Sequence, residues 1–102
     1  MNGFIVSSRA KRHLLEIWSF IALDDEKAAD RVENEFYAAF ASLARMPGLG
    51  SLRPALTPKP LLFFVLRSYL IVYRRVKVGI QIVAVVHGRR DLKVVLKQEH
   101  VT

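Results

Sequence analysis

The sequence predicts an α+β domain in which an antiparallel helix hairpin packs on a mostly antiparallel sheet. Three observations predict it. Apolar residues recur at helical spacing between residues 8 and 46, all four prolines fall between 47 and 60, and strand-like apolar runs follow from 61 to 87. With 102 residues and a mass of 11.6 kDa the chain has material for one core, so residues 1–102 are expected to form a single domain.

Each element has a local reason. Phe4 to Val6 is a short apolar run closed by Ser7 and Ser8, enough for an N-terminal strand. Ala10, Leu14, Ile17, Trp18 and Ile21 then mark one face of a helix over about 8–23, capped by Ser7 or Ser8. Asp24, Asp25 and Glu26 suit the positive end of a second helix. Its buried stripe is Ala29, Val32, Phe36, Ala39, Phe40 and Leu43, and Pro47 with Gly48 stops it near Met46. So short a link between the two helices makes them an antiparallel hairpin. Residues 47–60, PGLGSLRPALTPKP, keep neither periodicity and read as the one long loop.

Three runs rich in β-branched and aromatic residues follow: LLFFVL (61–66), YLIVYRRV (69–76) and GIQIVAVVH (79–87). Tight links at Arg67-Ser68 and Lys77-Val78-Gly79 make them a three-strand antiparallel meander. In the middle run Tyr69, Ile71 and Tyr73 point to one face while Leu70 and Val72 point to the other, so both faces are apolar. The hairpin covers one of them. A short C-terminal helix from Asp91 to Gln98, with Leu92, Val95 and Leu96 inward, is expected to cover the second only in part. The remainder would need another subunit or a bound segment.

Composition narrows the function classes. A hydrophobic content of 52% and a mean hydropathy of +0.22 exclude disorder, and the apolar excess points to a missing partner. The absence of cysteine excludes disulfides, thiolate metal sites and cysteine nucleophiles. The longest apolar run, LLFFVL, falls far short of the ~20 residues that cross a bilayer, and MNGFIVSSRAKRH lacks the features of a signal peptide. A cytoplasmic protein without a membrane partner is expected. Residues 1–50 hold six basic and seven acidic groups, whereas residues 51–102 hold ten basic groups against Asp91 and Glu99 alone. That lopsided field favours an acidic partner.

Few residues carry chemistry. His13, His87 and His100 have no metal-site spacing, so no metal is expected. His13 lies beside Arg12 on the polar side of its helix and reads as a solvated surface residue. GLGS (48–51) follows a helix instead of a strand and so lacks the context of a phosphate loop. Asp24, Asp25, Glu26, Asp30, Glu33 and Glu35 are explained by capping and a solvated face. Trp18 fits core packing or a partner groove, and Arg53 in the loop reads as a solvated charge or an anchor for an acidic group, as does Lys59. The strongest constellation is VVHGRRDL (85–92), where His87, Arg89, Arg90 and Asp91 crowd the exit of the last strand. Arg67 and either Arg74 or Arg75 are expected to approach it, and arginines so grouped bind carboxylate or phosphate.

The order of elements, together with LLEIWSFIA (14–22), AADRVENEF (28–36), MPGLGSLRP (46–54), YLIVYR (69–74) and VVHGRRDL (85–92), resembles the ParE toxins of the RelE/ParE superfamily. The resemblance spans almost the whole chain. It implies a RelE/ParE-like α+β fold and the toxin of a type II toxin–antitoxin pair, held inactive by a ParD-like acidic antitoxin. ParE-like members are associated with poisoning DNA gyrase by protein contact, with no active site or cofactor of their own. On that reading Arg53, Arg67, Arg74, Arg89, Arg90 and Trp18 are the contact residues for target or antitoxin. RelE-like members instead cut mRNA on the ribosome, and under that alternative His87, Arg89, Arg90 and Lys59 would be the nuclease residues. The chain departs from the RelE pattern, because Val94, Val95 and Leu96 stand where a proton-transferring tyrosine is expected. Direct nucleic-acid binding is not expected; a plain binding module would show strongly salt-dependent DNA affinity.

Overall fold

The computed structural model describes residues 3–87 together with Leu92 and Leu96. The chain runs β1 (Gly3–Val6), α1 (Ser8–Ala22), α2 (Glu26–Arg45), a 3-10 turn (Pro47–Leu49), β2 (Ser51–Leu52), β3 (Leu62–Leu66), β4 (Tyr69–Val76) and β5 (Gly79–His87). The strands lie in the order β1-β5-β4-β3-β2, with β1 parallel to β5 and every other neighbour antiparallel.

Both helices begin where the sequence places their caps. The Ser7 hydroxyl accepts from the Ala10 amide at 3.1 Å, and Asp25 Oδ1 accepts from Lys27 and Ala28 at 3.0 and 3.2 Å. Each such cap stabilises its helix by about 1 kcal/mol. Residues 47–60, expected to be irregular, contain the 3-10 turn and the two-residue strand β2, which pairs Ser51 with Phe63 and Leu52 with Leu62. Two residues are too few to show an alternation, so periodicity could not reveal them.

Each face of the sheet carries a buried cluster. On the first face Ala10, Leu14, Phe36, Phe40 and Leu43 of the helices close over Leu62, Ile71, Tyr73, Ile80, Ile82 and Val85. On the second, Leu61, Phe63, Val72, Val83, Ala84 and Val86 form a separate cluster with Leu92, against which Leu96 packs. The second face is covered in part: Phe63, Val72 and Ala84 are at most 2% exposed, while Val65 and Ile5 on the same face are 57% and 55% exposed. Leu92 and Leu96 take their expected inward positions, and the rest of the proposed helix from Asp91 to Gln98 lies outside the described residues. A bulge explains how β5 serves both faces. Val72 pairs with Ala84 but Tyr73 with Ile82, so Val83 is the extra residue and two consecutive side chains enter the second cluster.

His13 is also corrected: it is half-buried, and its Nδ1 accepts from the Val85 amide at 3.2 Å. The cause is the shortness of β1, which pairs only with Gly79 to Ile82. The remaining edge of β5 has polar backbone groups that need partners. The start of the α1 segment supplies them: Ser7 N donates to Ile82 O, Ser7 Oγ donates to Val83 O, and His13 accepts from Val85.

The β4–β5 turn depends on glycine. Gly79 has φ +146°, and a Cβ there would lie 1.9 Å from the Gly3 carbonyl oxygen. Gly48 has no atom within 4 Å of the same position. We therefore expect Gly79→Ala to lower stability in urea denaturation by at least about 1–3 kcal/mol, with Gly48→Ala within roughly 0.5 kcal/mol of the native chain. Equal effects would contradict the close β1–β5 approach.

A candidate partner-binding surface

The expected cationic residues separate into two ends of the sheet. Tyr69 pairs with His87, whereas Arg74 pairs with Gln81, five residues further along β4. At about 3.4 Å per residue this puts Arg74 roughly 17 Å from the His87 end. The expectation that Arg74 or Arg75 approaches His87 is therefore corrected by strand register. Arg67, in the β3–β4 turn, does share the His87 end, because Leu66 pairs with Tyr69. His87 is exposed, its ring 5.2 Å from that of Tyr69. Arg89 and Arg90 lie outside the described residues.

The Nε–Nη2 edge of Arg67 is already engaged. Its Nε and Nη2 donate to Glu35 Oε1 and Oε2 at 2.7 and 2.6 Å, a two-pronged ion pair that ties the β3–β4 turn to α2. Among the described residues Arg67 is the one non-glycine with positive φ, 55°, a conformation that costs a side-chain-bearing residue about 1 kcal/mol or more. Hydrogen bonding to Arg67 lowers the Glu35 pKa, and the same bonds raise that of Arg67. Trp18 is also occupied: it is half-buried and shares the lining of a small cleft between the helices with Leu14, Ile17, Ala29 and Val32, and its Nε1 donates to Asp30 Oδ1 at 2.8 Å.

Arg53 and Arg74 differ from Arg67 in having neutral supports. Both are exposed, the Arg53 guanidinium lies 5.8 Å from the centre of the Phe63 ring, and Arg74 Nε donates to Gln81 Oε1 at 2.7 Å. Ser51 and Leu52 pair with Phe63 and Leu62, and Leu62 pairs with Tyr73. Arg53 and Arg74 are the next residues beyond these pairs, so they form a short row of cations at that end of the sheet. The row lies on the second face, since Phe63 and Leu61 belong to that cluster. No Asp or Glu occurs between Glu35 and Asp91, so no acidic side chain in this stretch neutralises the two. Ring and amide hold the guanidinium groups in place without cancelling their charge, which prepares them for carboxylate or phosphate oxygens. Lys59 sits in the same loop, half-buried, its amide donating to Thr57 Oγ1 at 3.2 Å. It is therefore at the opposite end of β3 from the turn near His87.

Sequence reasoning missed Tyr73 as more than a core residue. Its buried hydroxyl donates to Pro47 O at 2.6 Å and accepts from Gly50 N at 2.8 Å, anchoring the start of the loop that carries Arg53. The one available signal was Gly50 itself, whose position leaves no room for a side chain beside that phenol.

The comparisons with known proteins bear on this surface. The ParE toxin of type II toxin–antitoxin systems (parDE) matches residues 4–92, most of the chain. The chain belongs to the ParE toxin family. A solved chromosomal ParDE toxin–antitoxin system from P. aeruginosa shares the fold of this ParE-family chain, with a TM-score of 0.72 and 17% identity, over 87% of this chain and 98% of the other. No curated protein matches the sequence. Among the described residues of this ParE-family chain no helix is long and apolar enough to cross a membrane, and no group of side chains has the makings of a metal site.

Burial pushes the Tyr73 phenol above its ordinary pKa of 10.0. A phenol whose folded pKa exceeds its unfolded one contributes stability that is whole below the unfolded value and is lost as pH climbs through the folded value. Urea denaturation from pH 8 to 11 is expected to show stability falling above about pH 10, with a flatter alkaline limb in Tyr73→Phe. Superimposable limbs would show that this phenol does not drive the loss.

Proposed function

We propose that this ParE-family toxin acts by protein contact on DNA gyrase and is neutralised by an acidic, ParD-like antitoxin in the cytoplasm. The observation that carries the reading is the pair Arg53 and Arg74, exposed on one sheet face, held by neutral groups and left without an acidic neighbour in sequence from Glu35 to Asp91. An acidic segment laid across that row gains two charge-assisted contacts at supports that are already ordered. Each is worth about 1.5–3 kcal/mol. The gyrase target follows from the ParE resemblance. Register supports it over the nuclease alternative: Lys59 and His87, two members of the nuclease set, stand at opposite ends of the sheet. A general base must lie within hydrogen-bond reach of the reacting group, and phosphate-binding cations must meet at the same phosphate.

Two measurements test the proposal. With purified gyrase and supercoiled plasmid, the toxin is expected to trap cleaved complexes or block supercoiling, while mRNA on translating ribosomes stays whole. Cut mRNA with unaffected gyrase would establish the nuclease reading instead. Arg53→Ala and Arg74→Ala are each expected to weaken antitoxin binding about tenfold or more, with a shallower salt dependence. Unchanged affinity in both variants would remove this face from the interface.

A further inference from the structure

We infer that Tyr73 is a positioning residue for Arg53, acting through Gly50 and β2; the inference rests on the reading of Arg53 as a partner contact. The side chains lie on opposite faces of the sheet, Tyr73 in the first cluster and Arg53 over Phe63 of the second. They are linked by the chain itself. The Tyr73 hydroxyl uses its proton on Pro47 O and a lone pair on Gly50 N, so both bonds go to one short stretch just before Arg53.

That stretch has little else to hold it. The 3-10 turn Pro47–Leu49 has no side-chain cap, and β2 has only two ladder residues, both exposed. A two-residue ladder at a sheet edge is open to fraying. On its other side Arg53 starts a turn, its carbonyl accepting from the Leu56 and Thr57 amides at 2.9 and 3.1 Å. That turn ends at the buried Thr57 and holds Arg53 from the loop side, whereas the phenol holds the segment before it. The buried phenol is the fixed point of the segment that leads into Arg53.

Gly50 and Tyr73 are matched to each other. A Cβ on Gly50 would lie 2.2 Å from the phenol oxygen, so any side chain there displaces the hydroxyl. The contact can thus be broken from either partner: Tyr73→Phe removes the hydroxyl and keeps the ring, and Gly50→Ala pushes the hydroxyl away and leaves the core residue intact. In both variants the register of β2 on β3 loosens, and Arg53 loses its place over Phe63.

The experiment has a structural arm and a binding arm. By amide hydrogen exchange and NMR, both variants are expected to exchange Gly50 and Leu52 amides at least tenfold faster and to lose the Arg53–Phe63 contact, while β4 and β5 amides stay protected. Retained Gly50 protection and an intact Arg53–Phe63 contact would overturn the inference. For binding, a fluorescein-labelled 15-residue polyglutamate peptide serves as the acidic probe. Arg53→Ala and Tyr73→Phe are each expected to weaken it severalfold, and the double variant to bind no worse than Arg53→Ala alone. The same cycle with Arg67→Ala, at the far end of the sheet, is expected to be additive. Additivity between Tyr73 and Arg53 would show that the phenol acts elsewhere and would overturn the inference. If Arg53→Ala binds as tightly as the native chain, the reading of Arg53 as a contact fails, and the structural arm alone then decides whether Tyr73 sets its position.

Discussion

The rest of the structure depends on β4 being apolar on both faces. Ile71 and Tyr73 enter the cluster beneath the helices and Val72 enters the other, all with no measurable exposure. A strand with this pattern is stable only with cover above and below and neighbours on each side. Pairing with β3 and β5 supplies the neighbours, the α1–α2 hairpin supplies one cover, and the second cluster closes with Leu92 and Leu96. The bulge at Val83 follows from the same demand, since it lets β5 give Ile82 and Val85 to one layer and Val83, Ala84 and Val86 to the other.

This constraint also explains where charge can go. A sheet whose central strand is buried on both faces leaves room for cations toward its ends, in its turns and on its edge loop, where Arg53, Arg67, Arg74 and Lys77 stand. Position then decides their roles. Arg67 meets Glu35 on the hairpin that overlies the first face and becomes a structural tie. Arg53 and Arg74 lie on the second face, away from the acidic hairpin, and among the described residues they meet a ring and an amide. The surface charge is uneven: the half of this ParE-family chain that carries Arg53 and Arg74 is the half with almost no acids of its own.

The elements were largely legible in the sequence because their signals are local. Ser7 and Asp25 cap the helices, Pro47 follows the second, and β4 and β5 have the bounds that their β-branched runs mark. What escaped was what depends on register. His13 read as a surface residue because its bond to Val85, 72 positions away, exists only through the shortness of β1. The candidate site was legible as a list of cations and illegible as a geometry. Arg74 and His87 look adjacent in a meander until pairing puts them at opposite ends of one strand, and nothing near Arg67 in sequence announces Glu35, 32 residues away.

The account's central claim, that the doubly buried β4–β5 ribbon is the cooperative unit on which both layers are built, is tested most directly by native-state hydrogen exchange. The amides of Ile71 to Tyr73 and Ile82 to Val86 that bond within the ladder should exchange last, at the free energy of global unfolding, with the helix hairpin opening no later than they do. Slowest exchange in α1 and α2, with the ribbon opening earlier in a separate step, would contradict it.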